Sequence, residues 1–586
     1  MAALVACALE NSVFATEGDR SASLEALAND FWQWRSQYQP FSKDDIPRIE
    51  RPIDASTSPR DWSATSIAKQ KAKLEDFERQ WKQLDPKAGS VARQVDYRLI
   101  GSALARVRWE LEINPRWQRD PSFYVDQTLT ALLEALVQPP PFDAARSGEI
   151  VRRVQEIPAI IDEGKQNLQP VRPFAQLAVG DLQQIRPELE RVEREVAPLL
   201  RDEVKGNGKP DDSQTASFRA ATEKAILALE SYRSWLQSKL DSMPGSMPED
   251  AAIGRQKYEF FLRDVALLPY SPEQLLAISR QEWDRAVAFE QYEQQRNQGL
   301  PELKLAASLQ EEIATAKRDE TAIRQFLEAK NILTAPVEIG HYTLLPMPGY
   351  IEALADFGET DDFTGPSRLH DNGVRYALPP SSQLGYFWLA TAKDPRPDMV
   401  HEGIPGHYFQ MCRSWQHPDP IRRQYYDSGA NEGIGFYTEE MMLQAGLFDD
   451  SPRSREIIYN FMRLRALRVE VDVKLALGLF TMAQAADYLS QHVPMDKKTA
   501  EGEAALFATD PGQAISYQIG KHQILRFLAD AKLAHGDKFS LRAFHDFVWQ
   551  NGNVPIALQR WEYLGQDEDI RRIDSTTKEG EEQGSK

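Results

Sequence analysis

Residues 225–240 read AILALESYRSWLQSKL. Ala225, Leu229, Tyr232, Leu236 and Leu240 recur at steps of three and four, with Glu230, Arg233 and Lys239 off that stripe. This is the spacing of an amphipathic helix with one buried face. Patterns of the same kind run from about Ser23 to Leu240, resume after a break as far as Lys330, and return from Met399 onward. The expected fold class is therefore mainly α.

The breaks organise the chain. Residues 205–212, KGNGKPDD, suit a loop between helices, and residues 242–248, SMPGSMP, are the better boundary. The division expected is a leader-like segment 1–22, a helical region 23–245, a second helical region 246–573 and a polar tail 574–586 whose composition suits disorder. Before Met399 the texture changes. Residues 337–339, 342–345, 374–376 and 384–389 are short β-branched or aromatic runs between turn residues, so a small sheet is expected just ahead of the third helical stretch.

At 586 residues and 42% hydrophobic content the chain can fill a sizeable core. Its formal charge of -19 works against phosphate backbones and anionic lipid surfaces, which argues against a nucleic-acid partner. Only Cys7 and Cys412 are present, so no disulfide framework is expected. Residues 4–7, LVAC, resemble the lipobox at which bacterial lipoprotein precursors are cut and lipidated on cysteine, which would put the protein in the periplasm or on its membrane. The alternatives are a signal peptide ending near Ala15 and a cytoplasmic protein with an incidental apolar start. No other run approaches the roughly 20 apolar residues of a membrane helix.

The chemistry concentrates at residues 400–412, VHEGIPGHYFQMC. A catalytic zinc usually takes three protein ligands, often two histidines and a carboxylate, and a nearby glutamate serves as base. His401 and His407 are six apart, and on an unbroken helix they would point about 120° apart. Pro405 and Gly406 lie between them and can break the helix. The expectation is a bulge or break at residues 404–406 that turns His407 to the side of His401, with Gln410 one turn further along. Glu402 is placed as general base. In residues 428–440, SGANEGIGFYTEE, Glu432 and Glu439 are seven apart and share a helix face. Glu432 is the candidate third ligand, Glu439 the residue that would orient a histidine, and Glu440 the one best suited to a solvated surface. In residues 510–522 a turn leads into a helix that displays Tyr517, either a hydroxyl for a developing oxyanion or a packed aromatic. His522 is expected on the opposite side of that helix, and the remaining histidines have no ligand-like spacing.

Three blocks, HEGIPGHYFQ, NEGIGFYTEE and DPGQAISYQIGK, together with FWQWRSQYQP and YEFFLRDVALLPYSPEQL, resemble the bacterial family called domain of unknown function 885. That family is similar to helical zinc peptidases of the thimet-oligopeptidase and carboxypeptidase Taq type. The resemblance implies a large two-lobed helical channel and one zinc held by His401, His407 and Glu432. It further implies Glu402 as base, Tyr517 as substrate or oxyanion contact, and an edge strand at residues 385–389 pairing with an extended peptide. Gln410, Glu439 and Tyr386 are then expected behind the ligands or against substrate. Residues 506–507 read Leu-Phe where family members often carry Arg-Tyr. The function expected is a zinc metallopeptidase acting on peptides or small amides. A zinc amidohydrolase or esterase and a catalytically silent periplasmic peptide-binding lipoprotein are the alternatives.

Overall fold

The computed structural model describes residues 17–43, 50–51, 61–201, 213–245 and 247–575. Cys7, the loop 205–212 and most of the polar tail lie outside them. Among the described residues the architecture is mainly α, with a single two-stranded sheet.

The helices used below are α1 (Ala144–Asn167), α2 (Arg172–Asp181), α3 (Ile185–Val196), α4 (Ser213–Ser242), α5 (Pro272–Arg296), α6 (Tyr386–Lys393), α7 (His407–Trp415), α8 (Ser428–Ala445), α9 (Pro452–Ala476), α10 (Lys497–Thr509) and α11 (Gln513–His535). The strands are β1 (Tyr342–Pro346) and β2 (Gly373–Ala377). Local chemistry sets several starts. Ser271 and Gln274 form a reciprocal cap at α5 with Pro272 in its first position, and the carboxylate of Asp427 accepts the Ala430 amide at α8. The ladder that opened the reading is α4: Ala225, Leu229, Tyr232, Leu236 and Leu240 are all buried, packed on α1.

A second core surrounds the histidine block, with Tyr342 and Leu344 of β1 packed among Val400, Ile404, Tyr408 and Phe409. A third cluster joins the two ends of the chain, Phe31, Leu74 and Leu99 lying with Val554, Leu558 and Ile570.

β1 and β2 pair in parallel, Tyr342 opposite Gly373 through to Pro346 opposite Ala377, as two of the four expected runs. The other two are corrections. Residues 337–339 form a turn with Val337 exposed. Residues 386–389 open a helix, α6, so no edge strand stands there to pair with a peptide. The aromatic run fits either period, and distant contacts decide. Asp496, 110 positions on, accepts the Tyr386 amide at the helix start, while Tyr386 and Phe387 pack on Phe461 of α9.

Candidate metal centre

The helical chain entering the histidine block widens at Met399–Gly403, where the Ile404 amide donates to Met399 O five residues back, at 2.9 Å. Ile404 is extended, the Ile404–Pro405 peptide is cis, and α7 starts afresh at His407. The Trp549 indole holds the break by donating to Pro405 O at 2.6 Å. Glycine is required at 406, because a Cβ there would stand 1.7 Å from His401 O. The break cancels the angular mismatch of an unbroken helix: the two imidazoles lie 4.8 Å apart, ring planes perpendicular.

α8 carries the carboxylates across from them. Glu432 Oε2 lies 3.2 Å from His407 Nε2 and 3.5 Å from His401 Nε2. Two turns on, Glu439 Oε1 sits 2.7 Å from His401 Nδ1, which leaves Nε2 facing Glu432. Between the two acids, Gly435 backs onto the rings, and a Cβ there would come within 2.8 Å of His407 Cε1 and 3.1 Å of His401 Cε1. The Thr438 hydroxyl ties α8 to Val400 O at 2.6 Å. α8 in turn lies directly on α11, crossing where Gly433 meets Gly520; a Cβ on Gly520 would stand 2.0 Å from Gly429 O and 2.6 Å from Gly433 Cα.

That crossing carries Tyr517 to the site. Its ring stacks on His401 at 6.2 Å and 19°, and the Arg468 guanidinium of α9 sits 4.5 Å from the ring centroid, itself paired with both oxygens of Glu503. Burial, then the charge of Glu432, holds the Tyr517 phenol well above its ordinary pKa, although Arg468 and Arg465 pull it down.

Glu402 and Glu432 differ in setting. Glu402 Oε2 is 3.9 Å from His407 Nε2 and its side chain is 24% exposed, whereas Glu432 is buried against both imidazoles. Burial pushes the Glu402 carboxyl up to about 7; the two histidines pull it down, and Glu359 and Asp398 push it further up. Burial disfavours a charged His401, but Glu402, Glu432 and Glu439 outweigh it and raise the imidazole to about 10. Burial also works against an ionised Glu432, yet His407 and His401 hold it below the usual carboxylate range.

These residues fit a divalent cation. Tetrahedral zinc with bonds of 2.0–2.1 Å separates its ligand atoms by roughly 3.3 Å, close to the two distances at Glu432 Oε2. Glu432 Oε2 and His407 Nδ1 are buried without a hydrogen bond. Glu402, Glu432 and Glu439 bring three carboxylates to the imidazoles; Arg465 approaches Glu439 at 3.4 Å, and Arg375 and Arg468 act on Glu402 and Glu432. Among the described residues, His401, Glu402 and His407 offer ligand atoms that all lie within 4.8 Å of one another, and Glu432 Oε2 lies nearer than that to both histidines.

Other expected residues fall as follows. Gln410 is fully buried, accepting from Asn431 at 2.6 Å and donating to Asn553 at 3.1 Å, so it braces the residue next to Glu432. The Tyr386 hydroxyl bonds Asn460, and its ring joins the aromatic wall around Arg465. Glu440 is a correction: it is buried, held by Lys521 at 2.8 Å and Arg285 at 2.7 Å, because α5 and α11 both cover that side of α8. His522 lies against Tyr270, away from the centre. Arg465 and Arg468 were not anticipated; the visible signal was arginine three apart inside the apolar run 461–469, FMRLRALRV.

The family DUF885, described as a bacterial protein of unknown function, matches residues 53–561. No curated protein matches the sequence. Two solved structures share the fold. One is a "putative lipoprotein of unknown function" from Shewanella oneidensis, 20% identical over 94% of this chain and 100% of that one, with a TM-score of 0.68. The other, a "putative lipoprotein" from Colwellia psychrerythraea, is 17% identical over 96% of this chain and 100% of that one, with a TM-score of 0.71.

Proposed function

We propose that this chain, which belongs to the bacterial DUF885 family, is a metal-dependent hydrolase of amide bonds whose substrates are peptides. The observation that carries the proposal is the sharing of Glu432 Oε2 between two imidazole nitrogens, at 3.2 and 3.5 Å, beside a Glu402 that solvent reaches. His401, His407 and Glu432 would hold one zinc ion, which when bound supplies a Lewis acid for the scissile carbonyl and lowers the pKa of water.

The remaining work belongs to the chain. Glu402, with its carboxyl near neutrality, takes the proton of the attacking water and returns it to the departing amine. Tyr517 keeps its proton at neutral pH, so its hydroxyl donates to the carbonyl oxygen as negative charge gathers there. Glu439 fixes the orientation of His401. The location proposed is a lipid anchor at Cys7 on the periplasmic side, supported by the LVAC sequence and by the names of the two proteins that share the fold.

Metal analysis of protein purified without chelators, together with cleavage of a peptide library, tests the activity. One zinc per chain and peptide cleavage that chelation abolishes are expected. Zinc with turnover of esters or non-peptide amides alone would replace the peptidase by another hydrolase. No metal and no cleavage would leave a silent peptide-binding protein. Mass spectrometry of the native N-terminus tests the anchor, and an unmodified Cys7 would refute it.

A further inference from the structure

Arg465 and Arg468 stand three apart on α9, a spacing that puts both on one face of the helix. Their guanidiniums meet the same two rings. Phe387 of α6 lies 5.5 Å from the first and 5.7 Å from the second, and Tyr517 lies 5.8 and 4.5 Å away. Aromatic faces hold a guanidinium in place without using up the N–H groups along its edge. Both side chains are only 6% exposed, deep for arginine.

Their donors are not all spent. A guanidinium carries five N–H groups, and a bidentate carboxylate uses two of them. Glu503 of α10 takes Nε and Nη2 of Arg468, while Nη1 makes no hydrogen bond. That nitrogen is open to solvent, whereas Arg465 Nε and Nη1 are sealed. Arg465 Nη2 reaches Glu439 only at 3.4 Å and is open as well. The Tyr517 hydroxyl is a third donor that makes no hydrogen bond and is not sealed. Three unspent donors therefore gather at the ring that stacks on His401.

We propose that Arg468, seconded by Arg465, binds the C-terminal carboxylate of the peptide, which makes this chain an exopeptidase that removes the last residue. The inference rests on the peptidase reading above and names its substrate class. Consecutive residues lie about 3.8 Å apart, and a charge-assisted hydrogen bond adds about 2.8 Å. A carboxylate held beside Tyr517 thus sets the last peptide bond, and no internal one, against Glu402 and the histidines. Water adds across that C–N bond, releasing a free amino acid and a peptide one residue shorter. The arginines also reject a blocked end, because a terminal amide turns N–H groups toward N–H groups.

Calorimetric titration of the Glu402→Gln chain, in which turnover is blocked, compares acetyl-Ala-Ala-Leu as the free acid with its C-terminal amide. The acid should bind about ten- to a hundredfold more tightly, the worth of a hydrogen bond between charged groups. Adding Arg468→Gln should remove that difference and leave affinity for the amide as it was. Adding Glu503→Gln instead, which loosens Arg468 without removing it, should keep the preference. Its loss there would make the arginine a structural brace and overturn the proposal, as would equal binding of acid and amide, or a preference that survives Arg468→Gln. Acetyl-Ala-Ala-Asp amide bound as tightly as the free acid would move the anion to a side chain and overturn it too. With zinc-loaded parent protein, mass spectrometry should show leucine released from the free acid, and cleavage at internal bonds overturns the exopeptidase. Preference for the acid without any cleavage would uphold the carboxylate site and refute the peptidase reading on which it was placed.

Discussion

Glu439 and His401, 38 positions apart, meet at 2.7 Å through Oε1 and Nδ1, and the contact points the other imidazole nitrogen at Glu432. An orienting carboxylate of this kind raises the basicity of the ring and fixes its tautomer. Glu439→Gln should therefore lower zinc affinity by about 10- to 100-fold, read by competition against a chromogenic chelator. Unchanged affinity would show that the contact is structural alone.

Gly435 leaves the space that the two imidazoles occupy. In Gly435→Ala the new methyl would lie 2.8 Å from His407 Cε1, closer than carbon atoms pack, so the rings must part. The expected outcome is loss of zinc loading with helical circular dichroism preserved. A variant that loads zinc normally would show that the rings can shift without cost to the site.

Glu402→Gln keeps the volume and removes the carboxylate proposed as base. Zinc content should stay at the parental level while peptide turnover falls by about 10²- to 10⁴-fold, the usual worth of a positioned general base. Activity within a fewfold of the parent would assign proton transfer elsewhere.

Glu188 gives a pH signature in stability. Its folded pKa of about 7 lies above the ordinary glutamate value of 4.5, raised by burial and by Asp356 and Asp181 and opposed by Lys498. The folded state therefore binds more protons between those values, and stability falls as pH rises through that window. Glu188→Gln removes the slope. Denaturant melts of the unliganded protein should show the variant gaining on the parent between about pH 4.5 and pH 8, with the gap constant above that. A pH-independent difference would contradict the burial of a raised carboxyl.

Gly502 sits inside α10 with open space around it, the opposite circumstance to Gly435. Gly502→Ala should raise stability by about 0.5–1 kcal/mol, since alanine restricts the unfolded chain and meets no neighbour. Destabilisation in the melt would mean that α10 needs the bare backbone at this position.

Much of the centre was readable from residue spacing. His401, His407, Glu432 and Glu439 converge because helix periodicity and a Pro-Gly interruption are local properties, visible within forty positions. The helix at Tyr386 was not readable, because its aromatic run suits two periods and the deciding contacts come from Asp496 and Phe461. Glu440 looked like a surface acid for the same reason: its partners, Arg285 and Lys521, are 155 and 81 positions away.

The crossing of α8 and α11 also constrains how this chain can vary. At Gly433 and Gly520 the obstacle to a larger residue is main chain on the opposite helix, not a side chain. A change at one position therefore has no compensating change at the other, since glycine has nothing left to give up. The two glycines are therefore required together, and with them the relative placement of Glu432 and Tyr517.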